Sequence, residues 1–98
     1  MINNAWSDEE LLDSVKVYSE MLYKERRGEK YIKKNYYREL SEKYGRTEKV
    51  FEYRMQNISH VRSLMELDWV QGLKPAKNVG DRNITKIKKM LLDINAND

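Results

Sequence analysis

Five side chains in one stretch of this chain could hydrogen-bond to a nucleic acid: Lys49, Tyr53, Gln56, Asn57 and His60. Spaced i, i+4, i+7, i+8 and i+11, they fall within one arc of a helix. All five donate hydrogen bonds, four also accept, and none is negative. That combination suits base readout in a DNA major groove, where an amide side chain can pair bidentately with adenine N6 and N7. The other reading of the same stripe is a solvated helix face with no partner.

The stripe needs a helix buried on its other side, and the stretch Gly45–Ser63 supplies one. Val50, Phe51, Met55, Ile58, Val61 and Met65 form an apolar arc opposite the stripe. Arg54 falls inside that arc, where a structural role is expected: snorkelling past the core or pairing with an acid of the first helix. Thr47 is the predicted N-cap of this third helix, which should run to about Leu67. A second helix, about Lys34–Tyr44, ends at Gly45, so only Gly45 and Arg46 separate the two. So short a turn containing glycine is the sequence pattern of a helix-turn-helix, whose second helix normally enters the groove. Arg46, at the start of the third helix, is then a natural phosphate contact. Lys33, Lys34, Lys43, Lys74 and Lys77 are the other phosphate candidates. One of Tyr36 and Tyr37 is expected to be exposed.

Two further helices complete a compact all-α domain of four helices spanning residues 1–98. Ser7 and Glu10 form a capping box, and Asp8, Glu9 and Glu10 complement the positive end of the first helix. Trp6, just before the cap, is placed to staple onto Leu11. Leu11, Val15, Tyr18 and Leu22 give the buried stripe, and Gly28 ends the helix. Residues 68–80, DWVQGLKPAKNVG, read as a loop or short arm, with Trp69 and Val70 against the core and Pro75 barring a continuous helix. The last helix is predicted over Asn83–Ile94, with the tail 95–98 frayed.

Charge is unevenly distributed. Residues 1–23 carry five acids and one base, residues 24–54 eleven Lys/Arg and six Asp/Glu, and residues 74–89 six Lys/Arg and one Asp. Clustered cations with a pI near 9.1 are the electrostatic footprint of a phosphate-backbone binder. The chemistry for catalysis is sparse. There is no cysteine and one histidine, and the helical neighbours of His60 (Gln56, Asn57, Ser63, Leu64) include no metal-ligating carboxylate. No phosphate loop or nucleophile motif is present, so neither enzyme activity, a metal nor a cofactor is expected. No apolar run approaches the roughly 20 residues of a membrane span, and no signal-peptide pattern opens the chain. A cytoplasmic location follows as an expectation.

Three segments together carry a family resemblance. WSDEELLDSVKVYSEML, YYRELSEKYGRTEKVFEYRMQNISHVRSLMEL and DWVQGLKPAKNVG resemble the N-terminal helical domain of some prokaryotic HNH-type restriction endonucleases. The carrying residues are Trp6 with Glu9 and Glu10, Gly45–Arg46–Thr47, Gln56–Asn57–Ile58–Ser59, and Gly72 with Lys74 and Pro75, covering about residues 5–80. The resemblance implies a DNA-recognition module attached to a separate nuclease domain that carries its own His–Asn–His metal site. The expectation is therefore a double-stranded DNA binder, compatible with a homodimer. One rival is a protein-interaction module in which the acidic first helix pairs with the basic half of another subunit. The other rival is a single-strand or RNA binder using the tyrosines.

Overall fold

The chain's structure is a computed structural model in which residues 5–96 are described. Four helices follow one another: α1 (Asp8–Arg26), α2 (Lys33–Tyr44), α3 (Glu48–Leu64) and α4 (Asp81–Ala96). No strand occurs among the described residues, so the fold is all-α. α1 and α3 each pack against the other three helices, whereas α2 and α4 do not meet.

Local chemistry explains the boundaries. Ser7 Oγ accepts the amide of Glu10 at 3.1 Å, and Glu10 Oε1 accepts the amide of Ser7 at 3.0 Å, completing the capping box at α1. Thr47 Oγ1 caps α3 by accepting the Val50 amide at 3.2 Å. Gly45 closes α2 with φ 75°, a left-handed conformation that suits a residue lacking Cβ, and its N–H reaches Ser41 O at 2.8 Å. α3 ends three residues earlier than Leu67. The amides of Glu66 and Leu67 turn back onto the carbonyls of Ser63 and Arg62 at 3.1 and 2.9 Å, which forces Glu66 to φ 60°. α4 starts two residues before the predicted Asn83 and runs two beyond Ile94. Asp81 in its first turn favours the earlier start. Asn95 and Ala96 thus belong to α4, while the rest of the predicted frayed tail, residues 97–98, lies outside the described residues.

The core draws on every element. Leu11, Val15, Tyr18 and Met21 of α1 meet Leu40 of α2, Phe51, Met55, Ile58 and Val61 of α3, Val70 and Leu73 of the connector, and Ile87 and Leu91 of α4. Tyr18 is fully buried, yet its hydroxyl contacts Ser59 Oγ at 2.8 Å and accepts the Val70 amide at 2.9 Å. One phenol thereby ties α1 to α3 and to the connector. Arg62, also buried, donates from Nε to Asp68 O at 2.6 Å, while Asp68 Oδ1 lies 2.8 Å from Arg26 Nη2. These bonds hold the entry of the connector, so Val70 is inside as predicted. Trp69 is not, being 42% exposed. Val50, assigned to the apolar arc from sequence, is likewise exposed, because it lies at the margin of the face that α3 buries.

Candidate nucleic-acid interface

The predicted stripe on α3 divides in two. Lys49 and Tyr53 are exposed, and Gln56 and His60 are half-buried. Asn57 is 1% exposed, and its Nδ2 donates to Ala76 O at 2.7 Å. The Ala76 amide donates in turn to Gln56 O at 3.0 Å. The connector between α3 and α4 therefore returns along one flank of α3, and Asn57 is the side chain that fastens it. Placing Asn57 among base-contacting residues is corrected: its amide group is spent on the backbone of its own chain.

The phosphate candidates also divide. Arg46 is not presented to solvent as a contact at the head of α3. Its Nε lies 2.5 Å from Glu10 Oε2, its Nη2 donates to Ala5 O at 3.0 Å, and its guanidinium sits 4.3 Å from the centroid of Trp6. Lys43 forms an ion pair with Asp13 at 2.7 Å, and the Tyr44 hydroxyl donates to the same carboxylate. Both cations pair with acids of α1 that lie 30 or more residues away in sequence, Arg46 mostly buried and Lys43 still 55% exposed. The Arg46 hydrogen bond holds the Glu10 carboxyl below its usual pKa, and the Lys43 hydrogen bond does the same for Asp13. Arg54 stacks on Trp6, with Cζ also 4.3 Å from the ring centroid, rather than forming an ion pair with α1. Trp6 meets Phe51 edge-on at 5.2 Å, so it packs on α3 and joins the core margin from there.

Lys33, Lys34, Lys74 and Lys77 differ in exposure. Lys34, Lys74 and Lys77 are exposed and Lys33 is half-buried, with Nζ 5.3 Å from the Tyr31 ring centroid. Lys33 and Lys34 share a cleft with Lys49, Glu48 and Glu52, between the N-terminus of α2 and the first turns of α3. Lys74 and Lys77 bracket Ala76, on the flank that the connector occupies. Lys49 and Tyr53 are thus the exposed members of the stripe, with Gln56 half-buried beside them.

The sequence reading omits Glu52, and it expects one of Tyr36 and Tyr37 to be exposed, whereas neither is. Glu52 is exposed and shares the cleft with Lys49, three residues before it on the helix. The i, i+3 relation could have found it. Tyr37 is 4% exposed and lines the same cleft, and its hydroxyl has no hydrogen-bond partner. Tyr36, its neighbour, accepts a hydrogen bond from Lys24 Nζ at 2.6 Å and is half-buried. No group of His, Cys, Asp and Glu among the described residues is arranged to hold a metal ion, and no helix there is long and apolar enough to cross a membrane. Comparison with protein-family models, with curated proteins and with solved structures finds no significant match to this chain.

Proposed function

We propose that this chain binds double-stranded DNA, with α2, the Gly45–Thr47 turn and α3 acting as a helix-turn-helix. One observation carries the reading: a polar face on α3, with Lys49 and Tyr53 exposed and Gln56 half-buried, in a chain that also exposes Lys34, Lys74 and Lys77. A polar helix face that can enter a groove, with lysines available for phosphates, is what major-groove binding requires. Lys49, Tyr53, Gln56 and, further along, His60 would face base edges. In the context suggested by the family resemblance, the chain would serve as the recognition module of a restriction-type nuclease system, the cutting being done by another domain.

The disposition of the acids weighs against head-to-tail pairing of an acidic helix with a basic partner. Asp8, Glu10 and Asp13 of α1 already pair within the chain, with Lys86 (2.6 Å), Arg46 and Lys43. Of the five acids in residues 1–23, Glu9 and Glu20 remain exposed, so the interaction-module reading keeps fewer charges rather than none.

The test is fluorescence anisotropy with a labelled random duplex at two salt concentrations. DNA binding predicts affinity that falls steeply between about 50 and 200 mM salt. Lys74→Ala should weaken all sequences alike and reduce the salt slope by about one charge. Absence of binding at low salt would reject the proposal and leave a protein partner as the better explanation.

A further inference from the structure

Arg54 sits half-buried on α3 with its charge uncompensated. Its Cζ lies 4.3 Å from the ring centroid of Trp6, and Arg46 Cζ lies at the same distance from that ring. Glu10, the carboxylate of this cluster, is taken by Arg46 Nε at 2.5 Å. Among the described residues Arg54 makes no hydrogen bond or ion pair. Of its three nitrogens only Nε is both closed to solvent and without a partner, so the two Nη nitrogens are open. Burial, and after it the Arg46 charge, pulls the Arg54 pKa below its ordinary value, yet an arginine is still a cation at neutral pH. A guanidinium partly withdrawn from water beside a second guanidinium, with no acid of its own, is unfavourably placed unless an anion reaches it. Two guanidiniums on one ring share one carboxylate, which leaves one positive charge.

We infer that the Nη groups of Arg54 bind one phosphodiester of the DNA backbone, on the flank of α3 away from the α2–α3 cleft. This rests on the reading under Proposed function and adds to it a contact from a residue whose expected role was structural. At about 100° of helix per residue, Arg54 stands to one side of the exposed Tyr53 and Glu52 to the other, and Glu52 lines the cleft. A helix in the major groove runs between two phosphate strands, so a cation on that flank faces one of them. Trp6 sets the geometry. A guanidinium stacked on a ring keeps its in-plane N–H donors free, and its planar fork matches phosphate oxygens. Phe51 holds Trp6 edge-on at 5.2 Å, so the platform is anchored to the core. The surplus of one positive charge suits a diester, which carries one negative charge.

The experiment follows thermal unfolding, and anisotropy with a labelled duplex over a range of salt, for the unaltered chain, Arg54→Met and Arg54→Lys. Methionine keeps an unbranched side chain and a sulfur–aromatic contact on Trp6 while removing the charge. The expected result for Arg54→Met is a melting temperature equal to or above that of the unaltered chain, with duplex affinity reduced about tenfold. Its salt slope should fall by about one charge. Arg54→Lys keeps the charge and loses the fork, so its slope should hold while its affinity falls. Lys16→Met, at an exposed cation of α1, should bind like the unaltered chain; a slope reduction equal to that of Arg54→Met would mean bulk charge and overturn the contact. Unchanged affinity and slope for Arg54→Met, with the unaltered chain binding well, would overturn the contact and leave DNA binding standing. Where Arg54→Met melts early, Arg54→Lys decides: full affinity overturns the contact, and reduced affinity at an unchanged slope supports it. Failure of the unaltered chain to bind any duplex would overturn both.

Discussion

Asn57 offers the sharpest test of how α3 is used. Its Nδ2 donates to Ala76 O at 2.7 Å from a side chain that is 1% exposed. Asn57→Ala removes that bond, worth about 1 kcal/mol net, and leaves the Ala76 carbonyl without its donor. Truncating a buried side chain adds a cavity contribution, so the total should reach about 2 kcal/mol. For a domain of this size that lowers the melting temperature by about 8–16 °C. Asn57→Asp should be worse at neutral pH, because a buried carboxylate would then face the Ala76 carbonyl, acceptor against acceptor. That carboxyl would have a folded pKa above its unfolded value, so its penalty should shrink as pH falls and the group protonates. Amide hydrogen exchange localises the effect: the Ala76 N–H, bonded to Gln56 O at 3.0 Å, should exchange faster in both variants. On DNA, loss of the fastening should weaken binding to every sequence alike, since Lys74 and Lys77 would no longer be held beside α3. Unchanged melting and unchanged exchange at Ala76, with a base preference relaxed at a single position, would refute this reasoning and restore Asn57 to the groove face.

Two other outcomes follow from local chemistry. Glu66 occupies, at φ 60°, the position after a helix end that Gly28 holds after α1 at φ 71°. Glu66→Gly should therefore raise stability by about 1 kcal/mol, and a thermal melt that is unchanged or lower would contradict the strain. Glu10 has its pKa depressed chiefly by the Arg46 hydrogen bond, from a reference of 4.5. A depressed carboxyl contributes stability that is present above pH 4.5 and is lost as pH falls through the folded value. Chemical denaturation followed by circular dichroism should show Glu10→Gln losing less stability than the unaltered chain between neutral pH and about pH 3. Identical pH profiles would contradict the pairing.

What the sequence makes legible is what local rules decide. Capping at Ser7 and Thr47, the stop at Gly45 and the four apolar stripes each depend on residues within a turn or two of one another, and α1, α2 and the start of α3 fall where those rules place them. The departures come from contacts that close over long distances. A helical wheel assigns Asn57 to the exposed arc, but Ala76, 19 residues on, lies against it. Arg46 reads as a phosphate contact beside its own helix, but Glu10, 36 residues earlier, is its partner. The end of α3 falls short of Leu67 because Glu66 turns in a left-handed conformation that non-glycine residues rarely adopt. Tyr37 could be recognised as one of a pair, of which one was expected outside. That Tyr36 is half-buried and Tyr37 sits unpaired at the wall of a cleft depends on how α2 docks on α3.

The central claim is that the exposed ridge of α3 reads bases. Selection of preferred sites from a random duplex pool, carried out side by side with the unaltered chain and Gln56→Ala, tests it most directly. The account predicts an enriched motif for the unaltered chain and a loss of preference confined to one or two positions for Gln56→Ala, costing about 1–3 kcal/mol on the preferred site. Absence of any enriched motif, or an equal loss by Gln56→Ala on every sequence, would contradict it.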